Sequence, residues 1–318
     1  MLPPSPVVLV DVMSLAWQSH YAFRGLSHEG QPTGVYHGFL KTVLRLRERV
    51  SSRMVFCWDH GIPVLGAVPA PCWRKAVFPA YKSDRKKDNP DFAAMVGQLP
   101  GLFHVLSDYL NYCNVAVPGL EADDLISLLC YTFPTERFAI FSSDHDLYQI
   151  LDPSGRVRVL RSDKRGNTYH AVTAKEVESE FGIPVAKWAQ YLALGGDTAD
   201  HIKPWRGAGP GTAAKLIAAG ADPRLPFTDQ PPFLQERYAK LASNWVSAKA
   251  SYYVACLPRH WSDVRISPLV KANGGPPNVY LEPRPDSEGY LQFQTFCADH
   301  ALLELFSNRR KFFAQEPI

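Results

Sequence analysis

The sequence predicts an α/β fold, a mostly parallel central sheet flanked by helices, on three observations. First, Val7-Val8-Leu9-Val10, Met54-Val55-Phe56-Cys57-Trp58 and Phe138-Ala139-Ile140-Phe141 are continuous apolar runs. Such runs suit strands covered on both faces. Second, helical spacing separates them: Val35, Phe39, Val43, Leu46 and Val50 recur every three or four residues. Third, each run is followed by an acid, at Asp11, at Asp59, and at Asp144 and Asp146 beyond Ser142-Ser143. Alternation of strand and helix argues for parallel strands joined by right-handed crossovers.

The elements follow in order. A helix spans Thr33 to Val50, a second carries Leu102, Val105, Leu106, Tyr109 and Leu110, and a third runs from Glu121 to about Tyr131. After about residue 170 the chain reads as mostly helical. Thr173-x-x-Glu176 has capping-box spacing and opens a helix to Phe181. Pro184 opens another through Trp188, Tyr191 and Leu192, and Gly207-Ala208-Gly209-Pro210-Gly211 precedes a helix holding Ala213, Leu216 and Ile217. Pro223, Pro226, Pro231 and Pro232 make 221–233 a stiff linker. A helix then runs from about Leu234 to Cys256, a Pro/Gly-rich stretch reaches Gly289, and a last helix covers Leu291 to Phe306.

Of the 318 residues, 46% are hydrophobic and 20% charged, which fits a folded chain with a sizeable core and excludes disorder as its main state. No window approaches the ~18 uninterrupted apolar residues of a membrane span. Met1-Leu2-Pro3-Pro4-Ser5-Pro6 lacks the basic start and apolar core of a signal peptide. A cytoplasmic protein with no membrane partner is expected. The six cysteines are scattered with no C-x-x-C pair, so a zinc ribbon or a disulfide framework is not expected.

Ligands of open α/β sheets bind beyond the carboxyl ends of the strands. Asp11, Asp59, Asp144 and Asp146 stand at such ends, Glu121-Ala122-Asp123-Asp124 opens a helix, and Gly195-Gly196-Asp197-Thr198-Ala199-Asp200 supplies two more acids in a loop. One acid after a strand is commonplace, and acids at a helix start suit its dipole. Nine carboxylates meeting in space would repel one another without counter-charge. All-oxygen ligands favour Mg²⁺ or Mn²⁺ over zinc. So many acids point to two ions ~4 Å apart, the arrangement that suits in-line attack on a phosphodiester.

Between the Asp59 strand and the helix at Leu102, residues 73–87 carry Arg74, Lys75, Lys82, Arg85, Lys86 and Lys87 interleaved with aromatics. A solvated charged helix would read the same way. Placed beside an acidic cluster, these cations could hold phosphates, and Tyr81 could stack on a base. The glycine loop at 207–211 offers backbone N–H groups to a phosphate, with Lys203, Arg206 and Lys215 alongside. A plain turn is the competing reading, and the dinucleotide fingerprint does not apply because no strand precedes the loop.

Taken together, these residues resemble the 5′ nucleases: flap endonucleases, phage 5′→3′ exonucleases and the 5′-nuclease domain of bacterial DNA polymerase I. The resemblance runs from about Val7 to Phe313. It is carried by Glu121-Ala122-Asp123-Asp124, Ser143-Asp144-His145-Asp146-Leu147-x-Gln149, Tyr81-Lys82-x-x-Arg85 and Gly196-Asp197-x-x-Asp200, in that relation.

The resemblance implies a PIN-like nuclease core at 1–170 with a helical arch at about 73–95. It also implies a helical DNA-binding region at 171–318, containing a helix–three-turn–helix at about 185–220. Asp11, Asp59, Glu121 and Asp123 would surround one metal with Asp124 close by. Asp144, Asp146 and Asp197 would serve the other, with Asp200 further out. Lys82 and Arg85 would offset charge on the scissile phosphate. Arg74, Lys75, Tyr81, Lys86 and Lys87 would meet a 5′ single strand. Lys203, Arg206, Gly207, Gly209, Gly211 and Lys215 would grip duplex phosphates. The implied cofactors are two Mg²⁺, replaceable by Mn²⁺, and a K⁺ at the glycine loop. The implied substrate is DNA with a 5′ flap, nick or recessed 5′ end, including RNA primers on DNA, cut by a monomer.

Some positions depart from the family pattern. His201 stands where Asn is usual, Pro210-Gly211 where the glycine motif has x-Lys, and His145 where Lys is common; the stretch 62–72 is longer than usual. No polymerase sequence follows, so a stand-alone nuclease is expected. The rival readings are a branched-DNA-binding protein without catalysis and a PIN-like ribonuclease. A haloacid-dehalogenase-type phosphatase needs Asp-x-Asp after its first strand, where this chain has Asp11-Val12-Met13.

Overall fold

A computed structural model describes residues 5–59, 70–83, 89–163, 168–205, 208–283 and 287–313. The strands are β1 (Val7–Asp11), β2 (Ser27–His28), β3 (Gln31–Pro32), β4 (Met54–Cys57), β5 (Cys113–Val115), β6 (Phe138–Phe141), β7 (Val157–Ser162) and β8 (Tyr169–Val172). Six form one sheet in the order β5-β4-β1-β6-β7-β8, and β2 and β3 make a separate hairpin. All neighbours in the large sheet are parallel except β7 and β8.

Register decides where the acids fall. Asp11 lies opposite Cys57, Val10 opposite Phe141, and Cys57 opposite Val115, so four strands end in one row. Chain order proceeds outward from β1 through β4 to β5, then returns to place β6 on the other side of β1. That reversal opens a crevice at the carboxyl edge, where such sheets hold ligands.

Both faces of the sheet are covered, as the continuous apolar runs require. Val7, Leu9, Val55, Cys57, Ile140 and Val159 point into one apolar layer, with the helices Ala122–Thr132, Trp188–Gly195 and Trp245–Ala255 packed on it. Val8, Val10, Phe56, Phe141 and Leu160 point into the other, under Val12–Ala22, Gly34–Arg49 and Ser287–Asp299. The first layer draws on residues from Val7 to Val270, so the helical C-terminal half shares its core with the sheet.

Several expected elements differ. The helix expected from about Leu234 to Cys256 is broken into Pro232–Arg237, a 3-10 stretch Ala239–Asn244 and the helix Trp245–Ala255. The final helix is two, Ser287–Asp299 and Leu303–Asn308, separated at Ala301 where φ is +52°. A short helix, Ser267–Ala272, lies inside the stretch expected to be loop, with Pro268 in its first turn where no N–H is needed. The 221–233 linker is pinned as well as stiff: buried Gln230 donates from Nε2 to the Asp222 carbonyl and accepts the Asp222 N–H.

Candidate metal centre

Asp11 ends β1 and caps the helix Val12–Ala22, its Oδ1 accepting the Ser14 N–H at 3.0 Å. Its Oδ2 accepts from the Ser142 hydroxyl at 2.7 Å, and the same hydroxyl accepts the Asp144 N–H at 3.1 Å. Ser142 therefore joins the ends of β1 and β6 across the crevice. The Asp146 N–H donates to Asp144 Oδ1 at 2.8 Å, opening the 3-10 turn Asp146–Ile150. Buried Gln149 fixes that turn: its Nε2 donates to the carbonyls of Asp146 and Ala255, and its Oε1 accepts the Leu257 N–H.

The loop acids are held by their own geometry. Gly196 has φ +82°, and a Cβ there would lie 2.7 Å from Pro204, so glycine is required. Asp197 pairs by backbone with Ile202, and its Oδ1 accepts the Ala199 N–H at 2.7 Å. Carboxylate oxygens of Asp146, Asp197 and Asp200 all lie within 4.8 Å of one another. This set could hold one hard cation.

The other acids sit at the start of the helix Ala122–Thr132. Glu121 is its N-cap in a capping box with Asp124, whose Oδ2 accepts the Glu121 N–H at 3.0 Å. Asp59 reaches across from the end of β4 and accepts the Ala122 N–H at 2.8 Å. Arg74 lies buried among these carboxylates, donating to Glu121 at 2.8 Å, Asp123 at 2.9 Å and Asp124 at 2.8 and 3.0 Å. Trp73 Nε1 donates to Asp124 at 2.9 Å. The Tyr81 hydroxyl is shared between Glu121 at 2.7 Å and Asp200 at 3.1 Å. Lys82 bonds Glu121 Oε1 at 2.8 Å and lies 3.3 Å from Asp200 Oδ1, linking the two acid groups.

Crowding shows in the proton affinities. Burial pushes Asp11 up to about 6, and burial together with the Glu121 and Asp11 charges pushes Asp59 up to about 7. Asp123 and Asp146 are raised by burial and by neighbouring carboxylates. Glu121 goes the other way. Burial opposes its charge, yet Lys82 and Arg74 hold it well below the usual carboxylate range. Acids that resist ionisation for want of counter-charge, offering only oxygen, fit Mg²⁺ or Mn²⁺.

The structure thus brings Asp11, Asp59, Glu121, Asp123, Asp144, Asp146, Asp197 and Asp200 to one edge, with Lys82 among them. Three expectations need correction. Asp124, expected near a metal, is fully buried with both oxygens taken by Arg74, Trp73 and the Glu121 N–H. Arg74, expected on a nucleic-acid strand, is 2% exposed because three carboxylates need its charge inside. The Tyr81 ring, expected to stack on a base, is 0% exposed, its hydroxyl orienting two acids.

Lys75, Lys203, Gly209, Gly211 and Lys215 are exposed. Gly209 is the N-cap of the helix Pro210–Ala218, and Pro210 takes a first-turn position that needs no N–H. The expected arch is described as a short helix, Trp73–Val77, and a second, Pro90–Val96. Arg85, Lys86, Lys87, Arg206 and Gly207 lie outside the described residues. Gln149 stands in the Asp144–Gln149 motif without a role read for it, and Ser142 and Trp73 were missed as supports. A serine directly after a strand that ends in acids was the available signal for Ser142; Trp73 gave none.

The family model described as 5′-3′ exonuclease, N-terminal resolvase-like domain, matches residues 6–182. DNA polymerase I of Deinococcus radiodurans is 31% identical over 217 residues, covering 67% of this chain and 21% of the polymerase. The chain spans about a fifth of the length of such polymerase relatives. A 5′-3′ exonuclease of Streptomyces coelicolor is 31% identical over 227 residues, covering 68% of this chain and 72% of that protein. Among solved structures, T5 5′-exonuclease with divalent metal ions (zinc) bound superposes with a TM-score of 0.63 at 13% identity, covering 93% of this chain and 99% of that one. The catalytic core of Rad2 in complex with DNA substrate gives 0.54 at 14% identity, covering 93% and 87%.

Proposed function

The chain belongs to the 5′-3′ exonuclease family, and on that premise we propose that it is a structure-specific 5′ nuclease acting on DNA flaps, nicks and recessed 5′ ends, RNA primers included. One observation supports this reading above the rest. Eight carboxylates from β1, β4, the Ala122–Thr132 helix, the β6 loop and the 197–200 loop gather at the crevice where strand order reverses. Asp11, Asp59, Glu121 and Asp123 would hold one Mg²⁺; Asp146, Asp197 and Asp200, whose oxygens converge, would hold a second with Asp144 beside them, which brings Asp200 closer in than the resemblance implies. Mn²⁺ substitutes for either, and a K⁺ site at the glycine loop belongs to the same reading.

Bound divalent ions supply Lewis acidity for activating water and for offsetting charge on the phosphate. The chain does the rest. Ser142 and Gln149 fix the orientation of Asp11, Asp144 and Asp146 before substrate arrives. Lys82, with Arg85, offsets charge on the phosphate oxygens. Exposed Lys75, Lys203 and Lys215, with the N–H groups at Gly209 and Gly211, hold the backbone of the DNA without reading bases. On this reading 1–170 is the nuclease core and 171–318 the duplex-binding region, acting as a monomer, and the products carry a 5′-phosphate and a 3′-hydroxyl.

The test is cleavage of a labelled 5′ flap in Mg²⁺ beside a nicked duplex, with products mapped to the nucleotide. Asp197→Asn and Asp144→Ala should each lose at least about a hundredfold in rate while still binding the flap. Cleavage undiminished in both variants would remove the assignment.

A further inference from the structure

We propose that Lys82 is a tethered counter-cation that competes with the divalent ions for the acidic crevice and leaves it when they bind. The inference rests on the metal-binding role argued above and deepens it. Its observations are geometric. The Lys82 ammonium bridges Glu121 of one acid group at 2.8 Å and Asp200 of the other at 3.3 Å. It lies 4.7 Å from the centroid of the Tyr81 ring, whose hydroxyl bonds the same two acids. Its backbone is held at φ +49°, a conformation an L side chain adopts at a cost.

The two carboxylates that Lys82 bridges come from different acid groups, so its charge stands between them. Arg74 neutralises the buried side of the same cluster but is locked by bonds to three carboxylates and to the Val254 carbonyl. Lys82 differs in being partly exposed and on a flexible stem. A monovalent cation standing among several carboxylates and a divalent ion sharing them repel each other, so binding of one disfavours the other. The residue that stabilises the empty site is then the one set free, next to the phosphate, when the site fills.

The measurement is Mn²⁺ binding by titration calorimetry in the absence of DNA, on wild type, Lys82→Met, Lys82→Gln and Lys82→Arg. Removing the charge should tighten Mn²⁺ by about tenfold or more, whereas the arginine variant should stay near wild type. Thermal unfolding in a chelator gives the reciprocal readout: Lys82→Met should melt below wild type, and excess Mn²⁺ should close the gap. Two neutral variants that bind Mn²⁺ no tighter than wild type overturn the inference while leaving the nuclease reading intact. Wild type that binds no Mn²⁺ overturns both. Neutral variants that fold only with Mn²⁺ present support it, because the ion then replaces the missing ammonium; variants that fold under neither condition count against it.

Discussion

At the scale of single residues, Arg74 neutralises the buried side of the acid cluster: it is 2% exposed and bonded to Glu121, Asp123 and Asp124. Breaking a buried pair by removing one partner leaves an uncompensated charge and costs about 3–5 kcal/mol. Arg74→Met should therefore lower stability in chelator by about that amount, read from urea denaturation. Arg74→Lys should recover only part of it, since an ammonium cannot reproduce the forked geometry that serves three carboxylates. A loss below about 0.5 kcal/mol in Arg74→Met, the size of a surface change, would mean that the cluster does not depend on this cation. The sequence could not distinguish Arg74 from its neighbours because burial is a tertiary property. The carboxylates at Asp11, Asp59, Glu121, Asp123, Asp144 and Asp146 were legible for the opposite reason: each stands at or just beyond a recognisable strand end or helix start, so local pattern already set its place.

At the scale of elements, what could be read depended on how strongly each segment's own pattern set its structure. The runs of β1, β4 and β6 are buried on both faces and announce themselves. β5 is three residues long with Asn114 in the middle, and β7 interleaves Arg158 and Arg161 with its buried valines, so neither presents a continuous run. The 197–200 loop shows an element whose shape was invisible although its residues were not. Its turn requires Gly196 at φ +82° with Pro204 and the Ile202 carbonyl packed against the bare Cα. Gly196→Ala should weaken Mn²⁺ binding and slow flap cleavage more than it lowers the melting temperature, because the misplaced group is the loop carrying Asp197 and Asp200. Equal affinity in calorimetry for the alanine variant and wild type would show that the loop tolerates the extra methyl.

At the scale of the whole molecule, the C-terminal half also braces the acid cluster. Arg74 and Arg265 take the carbonyls left open at the end of the helix Trp245–Ala255, Arg74 bonding Val254 and Arg265 bonding Tyr253 and Cys256. Their guanidinium groups lie 4.8 and 5.0 Å from the Trp73 ring centroid. These contacts tie the helix end to the Trp73-Arg74 corner of the cluster, and burial and mutual repulsion of the acids beside it make stability a function of pH. Asp11 rises from 3.8 to about 6 and Asp59 from 3.8 to about 7. Between about pH 4 and 7 the folded chain keeps protons that the unfolded chain has released, so the stabilisation they give is complete below about pH 4 and is lost as pH rises through 6 and 7. Glu121 has the opposite sign, but its window lies below about 4.5, outside the range from pH 5 to 7.5; His37 and His145, whose proton affinity burial lowers, oppose the fall within it. In chelator the folded state should lose on the order of a few kcal/mol from pH 5 to 7.5, read as a falling melting temperature. With saturating Mg²⁺ the fall should be abolished or reversed, since the ions take the place of the protons and bind more tightly as those protons leave. The check is a pair of melting curves across that range, one in chelator and one in Mg²⁺. Parallel curves would mean that the ions and the protons do not share these carboxylates.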